Sequence, residues 1–190
     1  MTVKRKKNRP HPCSYRKRTY RSRVEPGDLV SFEVRIRETD LQILAGKELR
    51  HEANDAVLRY RSQLESYIAR HPEFVTALTP LPSDPTAPPI VKSMLAAGQA
   101  AQVGPMAAVA GAMAEYVGLD LLAVGAGEVV VENGGDIFFC RHQQSVVGIF
   151  AGGSPLSNRV GLKIPASLMP LGICTSSGTV GHSLSLGEAD

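Results

Sequence analysis

The chain has 190 residues, of which 43% are hydrophobic and 21% charged, with 18 glycines and no tryptophan. This composition excludes a fully disordered chain and supplies enough apolar side chain for one domain of ordinary size. Because aromatic residues make up only 5% of the chain, we expect a core of Val, Leu, Ile and Ala. The net charge of +3 is unevenly distributed along the chain. Residues 1–23 carry ten Lys or Arg and no acid, whereas the rest carries 11 basic and 18 acidic residues.

The sequence carries no pattern typical of export or membrane insertion. The basic N-terminal segment contains no long apolar stretch, and no run elsewhere approaches about 18 apolar residues. Cys13, Cys140 and Cys174 form no CxxC pair and leave an odd thiol, which argues against a disulfide framework. We therefore predict a cytoplasmic protein that does not bind membranes.

Residues 1–23 are predicted to form a basic, flexible arm. A terminus of like charges that cannot bury apolar area is usually a solvated tail. The alternative is that the arm binds nucleic acid, with Lys and Arg on phosphates and with Tyr15 and Tyr20 stacked on bases. The solvated tail is the favoured interpretation, and the nucleic-acid interpretation stays open.

Residues 24–190 are predicted to form a single domain that begins with a hairpin and a long helix. Apolar and polar residues alternate over Val30–Ile36, which predicts a half-buried strand, and a second strand is predicted at 41–46. Apolar residues then recur every three or four positions over Lys47–Arg70, the pattern of an amphipathic helix. Five prolines within 80–89 predict a loop.

The second half of the chain is rich in glycine, because 15 of the 18 glycines lie at or after Gly104. A buried helix is predicted over Ile90–Gln102, and another helix opens at Gly104-Pro105, where the missing N–H of proline is harmless. Strands are predicted at 119–124, 128–131, 137–139, 145–150, 160–164 and 172–174. Because strands and helices do not alternate strictly, we predict an α+β fold with a mainly antiparallel sheet and packed helices.

Three glycine-rich segments are candidates for a ligand site: Gly104–Gly111, Asn133–Asp136 and Thr175–Gly178. The first opens a helix, whose free N–H groups and dipole suit phosphate. The glycines of the second segment would admit a flat ligand, and its aspartate would accept a hydrogen bond from a ribose hydroxyl or a ring N–H. The third segment would donate hydrogen bonds to phosphate oxygens. Each segment also has a structural interpretation: close helix packing, a hairpin turn, and a capped strand end.

Signals for other chemistry are weaker. Ser176, Ser177 or Cys174 with His182 would suggest a hydrolase or a thiol enzyme, but the chain has no GxSxG elbow and no third member of a triad. No two His or Cys residues share a metal-ligand spacing, so a zinc site is not expected.

The three segments, in this order, resemble the ApbE-like superfamily, whose best-known members are FAD:protein FMN transferases. The likeness runs from about Gly104 to His182 and includes the strings GPMA, GGDI and SSG. The longer strings ETDLQI, ENGGDI and GICTSSGTVGHS are most similar to a shorter branch of that superfamily, uncharacterised protein family 0280. The resemblance implies the superfamily's α+β fold and an FAD-like ligand.

The resemblance also implies which residues would contact that ligand. The first segment would lie near the diphosphate, the second near the flavin or ribose, and the third near phosphate or metal. The residues that carry these roles are Gly104, Met106, Ala107; Gly134, Gly135, Asp136; and Thr175, Ser176, Ser177, His182. In the transferase branch Mg²⁺ polarises the diphosphate, and FMN moves to a protein Thr or Ser with AMP leaving.

The chain also departs from the transferase pattern. A lysine expected in the glycine-led helix start is absent, because no basic residue lies between Lys92 and Arg141. His182 is not followed by the Asp of the family pattern, and the segment whose Asp and Thr hold the metal would come after Asp190. The domain is therefore expected to lack the family's C-terminal strand and helix, and catalytic and metal residues stay unassigned.

Two function classes follow from these observations. The first is a flavin-nucleotide or phosphate-ligand site, with FMN transfer as the activity that the resemblance suggests. The second is a non-enzymatic module that binds a protein partner or, through residues 1–23, nucleic acid. A homodimer is a further expectation, since a shortened sheet would expose an unpaired edge that a second copy covers.

Overall fold

The computed structural model describes residues 18–151 and 154–175. The predicted α+β fold is confirmed, with seven strands in this part of the chain: β1 (Val30–Ile36), β2 (Thr39–Ala45), β3 (Val129–Asn133), β4 (Asp136–Cys140), β5 (Ser145–Gly148), β6 (Gly161–Ile164) and β7 (Leu171–Ile173). Five of them form an antiparallel sheet in the order β1-β2-β3-β4-β7, and β5 pairs with β6 in a separate hairpin.

Helices cover one face of the five-stranded sheet. They are α1 (Arg50–Arg70), α2 (Glu73–Thr76), α3 (Pro89–Ala101) and α4 (Val109–Ala123), with a short 3₁₀ helix over Pro105–Ala108 leading directly into α4. The buried face of α1 presents Ala53, Val57, Tyr60 and Leu64 at three- and four-residue spacing, as the amphipathic pattern predicts. These side chains join the strands in the main core.

The strand predicted at 119–124 is wrong, because α4 continues to Ala123. Val117 and Leu121, four residues apart, are both fully buried on one side of the helix. Leucine and alanine favour a helix over a strand, and the helix ends only where Gly125 adopts a left-handed conformation (φ 86°). A short apolar run does not by itself distinguish a strand from a buried helix.

One helix in the described part of the chain, Pro105–Ala123, has the length and apolar composition needed to cross a membrane. In the domain it contributes to the core, with Ala112, Met113, Ala114, Val117, Gly118 and Leu121 buried. Gly118 lies directly against the ring of Phe138 on β4, and a Cβ at this position would overlap ring atoms. The glycine therefore sets how closely α4 approaches the sheet.

Candidate functional site

Parts of the three predicted segments lie at one end of the five-stranded sheet, namely Ala110 of the first, the Gly134-Gly135 turn of the second and Thr175 of the third. The two-residue loop Gly134-Gly135 joins β3 to β4 there, and the Nδ2 of Asn133 donates to the carbonyl of Ala110 in the first turn of α4 at 3.1 Å. Strand β7 reaches the same end, since Ile173 pairs with Ile137. Thr175, two residues further along, is exposed beside this end of the sheet.

The conformation of the loop explains both of its glycines. Gly134 and Gly135 have φ angles of 67° and 106°, which L side chains rarely adopt. Two positive φ angles are typical of the tight turn that joins antiparallel strands with their natural twist. A Cβ on Gly135 would meet no atom within 4 Å, so the backbone here is open to an approaching molecule.

Asp136 lies directly after the loop, opposite Asn133 in the strand register. Its side chain projects on the same face of β4 as Phe138, which is the face that α4 covers. The carboxyl group has no hydrogen-bond or ion-pair partner among the described residues. Burial, and secondarily the negative charge of Glu132, raise its pKa to about 6. A partly buried carboxylate without a donor is electrostatically costly, and a ligand N–H, O–H or cation would relieve that cost.

The opposite face of the turn is held by an ion-pair cluster. The carboxylate of Glu132 accepts hydrogen bonds from the Gly135 N–H (3.0 Å), the Tyr20 hydroxyl (2.7 Å) and Arg21 Nε (2.7 Å). Arg21 also donates to Asp40 Oδ1 at 2.7 Å and is buried. Burial and the neighbouring Glu132 raise the pKa of Tyr20, which keeps its hydroxyl protonated as a donor.

The cluster contains Tyr20 and Arg21, which the sequence marks only as members of the basic arm, with Tyr20 as a candidate for stacking on bases. Residues 18–23 fall within the predicted basic arm, and the structure describes only this end of it. There Thr19–Arg23 form a 3₁₀ helix, and Tyr20 also packs its ring on Phe150, with 5.6 Å between the centroids. The available signal is the acidic residue Glu132, which follows three valines in a buried strand and needs a buried basic partner.

Comparison with known proteins identifies the family. A family model described as AbpE bacteria matches residues 21–190. A UPF0280 protein of Methanococcus aeolicus is 46% identical over 140 residues, which is 73% of this chain and 56% of the relative. The chain belongs to the UPF0280 family.

Two other UPF0280 proteins show the same level of similarity. One from Methanococcus maripaludis is 42% identical over 161 residues, covering 83% of this chain and 65% of the relative. One from Methanococcus vannielii is 40% identical over 166 residues, covering 86% and 67%. The chain thus spans between 56% and 67% of the length of these three curated relatives. The link from UPF0280 to the ApbE-like superfamily is suggested by the description of the family model alone.

The first predicted segment has a structural explanation in this UPF0280 chain. Gly104 is buried against the backbone of Ala77, where a Cβ would overlap the carbonyl oxygen, and its N–H donates to Leu78 at 3.1 Å. Met106 packs against the core, and Ala107 is exposed. Close packing, the alternative that the sequence left open, accounts for Gly104, and contact of these three residues with a diphosphate stays a prediction.

The third predicted segment is described only at its beginning. Thr175 is exposed, whereas Ser176, Ser177 and His182 lie outside the described residues. Within the described ranges, no three His, Cys, Asp or Glu side chains lie close enough to hold a metal ion. Asp136 has no partner in the part of the chain that the structure describes, and a single carboxylate does not form a magnesium site by itself. We therefore derive no metal-dependent step for the UPF0280 domain.

A small groove of mixed polarity lies between α4 and β7, on the same face of the sheet as Asp136. Its volume is about 140 Å³, and Phe138, two residues after Asp136 on β4, contributes to its wall. Glu115 provides a carboxylate at the groove. The complete lining is Glu115, Leu119, Phe138, Pro170, Leu171 and Gly172.

Proposed function

We propose that this UPF0280 domain binds a flavin nucleotide such as FAD, or a related phosphate-bearing ligand, at the end of the sheet formed by Gly134, Gly135 and Asp136. The observation that carries the proposal is the partly buried carboxyl group of Asp136, which has no partner among the described residues and lies beside a backbone that is open at Gly135. Ligand sites place a few polar groups next to an apolar surface, and the groove at Phe138 supplies that surface.

The chemistry of these groups fits a flavin nucleotide. The Asp136 carboxylate would accept a hydrogen bond from a ring N–H or a ribose hydroxyl, and a planar ring would pass over Gly135 without meeting a side chain. An exposed Thr175 hydroxyl at the same end of the sheet is available to a phosphate oxygen. The ApbE-related description of the family model supports the same ligand class.

Transfer of FMN to a protein hydroxyl is the activity to assay once FAD binding is measured. FAD would supply the phosphoanhydride bond that breaks in such a transfer, with FMN bonded to the hydroxyl oxygen and AMP as the leaving group. The described residues form no magnesium site. The cation at the turn is Arg18, whose Nη2 lies 3.3 Å from the position of a Cβ on Gly134 and which already donates to the Asp40 carbonyl, so no residue is assigned a catalytic role. Binding and transfer are accordingly separate proposals.

Isothermal titration of the full chain with FAD, FMN and ADP, with and without Mg²⁺, tests the binding proposal. Asp136→Asn keeps the size of the side chain and removes its charge, and we expect at least about tenfold weaker FAD binding. The matched control is Asp55→Asn, an exposed residue of α1 whose nearest ionic partner is His51, and it should bind as the wild type does. The absence of binding for all three nucleotides would overturn the proposal.

A further inference from the structure

The glycine turn is tied to the N-terminal segment by contacts on the face of the sheet opposite Asp136. We call Tyr20 and Arg21, together with their shared acceptor Glu132, the N-terminal latch. The Arg21 side chain is only 8% exposed and lies between two carboxylates, with 2.7 Å contacts to Glu132 and to Asp40. A buried guanidinium with two carboxylate partners has a fixed position, because leaving any of these charges unpaired is costly.

Glu132 connects the latch to the turn. One of its oxygens, Oε1, accepts both from the Tyr20 hydroxyl at 2.7 Å and from the Gly135 N–H at 3.0 Å. Arg21 holds the other oxygen, Oε2. Three donors from two distant parts of the chain therefore fix one carboxylate, and that carboxylate fixes the backbone of the turn.

The electrostatics of the cluster show what removal of Arg21 would do. Asp40 and Glu132 lie on neighbouring strands, and Arg21 bridges them. Arg18 is the second cation, at 3.7 Å from Asp40 and 3.9 Å from Glu132. Without Arg21 the nearest cation to the two carboxylates would be Arg18, at these longer distances, and the short contacts left to Glu132 would come from the neutral donors Tyr20 and Gly135. The unscreened repulsion from Asp40 would then move Glu132 away from Gly135.

We propose that Tyr20 and Arg21 are positioning residues of the ligand site, which hold the Gly134-Gly135 turn in its binding conformation through Glu132. The N-terminal segment is then a functional part of the site although it lies more than 100 residues away in sequence. The effect on ligand affinity rests on the proposed function, whereas the effect on the turn does not.

Backbone amide exchange by NMR in the full chain, without ligand, tests the latch directly. In Arg21→Met we expect the Gly135 amide to exchange at least about tenfold faster, while amides at the centre of β3 keep their protection. Tyr20→Phe removes one hydrogen bond and should produce a smaller increase. Arg21→Lys, which keeps the charge but not the paired geometry, should recover part of the protection.

The matched control is Arg141→Met. Arg141 lies just beyond the opposite end of β4, is 14% exposed, and holds Asp28 at 2.6 Å and Glu128 at 3.4 Å. Its loss should leave Gly135 exchange unchanged. An equal increase in the exchange rate of the Gly135 amide in both methionine variants would show general destabilisation and overturn the proposal. An unchanged exchange rate of this amide in Arg21→Met would also overturn it. If Arg21→Met does not fold, the Tyr20→Phe comparison decides by the same criterion.

Ligand titration of the same variants separates the latch from the proposed function. If the wild type binds FAD, Arg21→Met should weaken the affinity at least about tenfold and Arg141→Met should not. Wild-type FAD affinity retained in Arg21→Met would overturn the positioning role. If the wild type binds none of the three nucleotides, the proposed function fails, and faster exchange at Gly135 still supports the latch.

Discussion

At the residue scale, Asp136 gives the folded state a defined pH dependence. Its pKa is raised to about 6, first by burial and then by Glu132, whereas the unfolded chain ionises this group near its ordinary value of 3.8. The folded state therefore binds more protons between these values, and its stability falls as the pH rises through this window. We expect Asp136→Asn to be about 1–2 kcal/mol more stable than the wild type at about pH 8 and equal to it below about pH 4.

Urea unfolding of both proteins across this pH range measures the difference. Asp55→Asn on α1 serves as the comparison, because its exposed side chain should leave the free energy of unfolding unchanged at every pH. A constant difference between Asp136→Asn and the wild type at all pH values would contradict the raised pKa.

The same titration predicts how ligand binding responds to pH. Protonation near pH 6 removes the negative charge of Asp136 and turns one of its oxygens into a donor, which weakens the hydrogen bond that the side chain accepts from a ring N–H or a hydroxyl. We expect FAD affinity to fall about tenfold between about pH 8 and about pH 5 in the wild type. In Asp136→Asn the affinity should be low and nearly independent of pH, which calorimetry at both pH values would show.

Sequence and structure differ in what they reveal at this scale. The GGDI string singles out Gly134, Gly135 and Asp136, because a glycine pair marks a turn in the sequence itself. The role of Tyr20 and Arg21 at the turn could not be recognised in the same way. That role depends on Glu132, which the fold brings to them from a strand distant in sequence.

At the element scale, replacing either of two glycines of α4 by alanine should change the stability of the domain in opposite directions. A Cβ on Gly111 would meet no atom within 4 Å, whereas a Cβ on Gly118 would overlap the ring of Phe138. Gly111→Ala should therefore stabilise the domain by about 0.5–1 kcal/mol through helix propensity. Gly118→Ala should destabilise it by about 1–3 kcal/mol because β4 must move away from the helix.

Thermal unfolding of the two variants compares them directly. A stabilising Gly118→Ala would show that α4 and β4 tolerate a wider separation than the structure shows. Both substitutions replace glycine by alanine within one helix, so their difference isolates the contact with the sheet.

The helices and strands were predictable where periodicity or turn residues are strong. The alternation in β1, the long amphipathic pattern of α1 and the glycine turn between β3 and β4 all lie where the sequence predicts them. The end of α4 was not predictable in this way, because Leu119–Ala123 holds three leucines and an alanine around one charged residue, Asp120, without β-branched residues or clear periodicity. The packing of α4 against the sheet determines that this segment is helical, and that packing is a long-range contact.

At the scale of the whole molecule, the structure joins the N-terminal segment to the domain. Because Arg21 neutralises buried Glu132 and Asp40, its loss leaves charges unpaired within the fold. We expect deletion of residues 1–23 to lower the free energy of unfolding by about 2–4 kcal/mol more than deletion of residues 1–17. Urea unfolding of the two truncated chains measures the difference, and equal stabilities would contradict this account.

The same contacts bear on the alternative function. Arg18, Tyr20 and Arg21 already have partners on the sheet, which disfavours their use on nucleic acid.

Composition and patterning were sufficient to predict an α+β domain, because the fold class depends on local signals summed over many residues. Cytoplasmic location, self-association and a flavin ligand stay predictions, because they depend on molecules outside the chain.

The exposed end of β7 offers a practical consequence. Cys174 follows Ile173 directly and is exposed at the end of the sheet that carries Asp136, whereas Cys140 is partly buried. Burial and the charge of Glu128 raise the pKa of the Cys140 thiol, which slows its alkylation. A maleimide fluorophore should therefore label Cys174 in preference to Cys140, and with Cys13→Ser in place it would report nucleotide arrival as a change in emission.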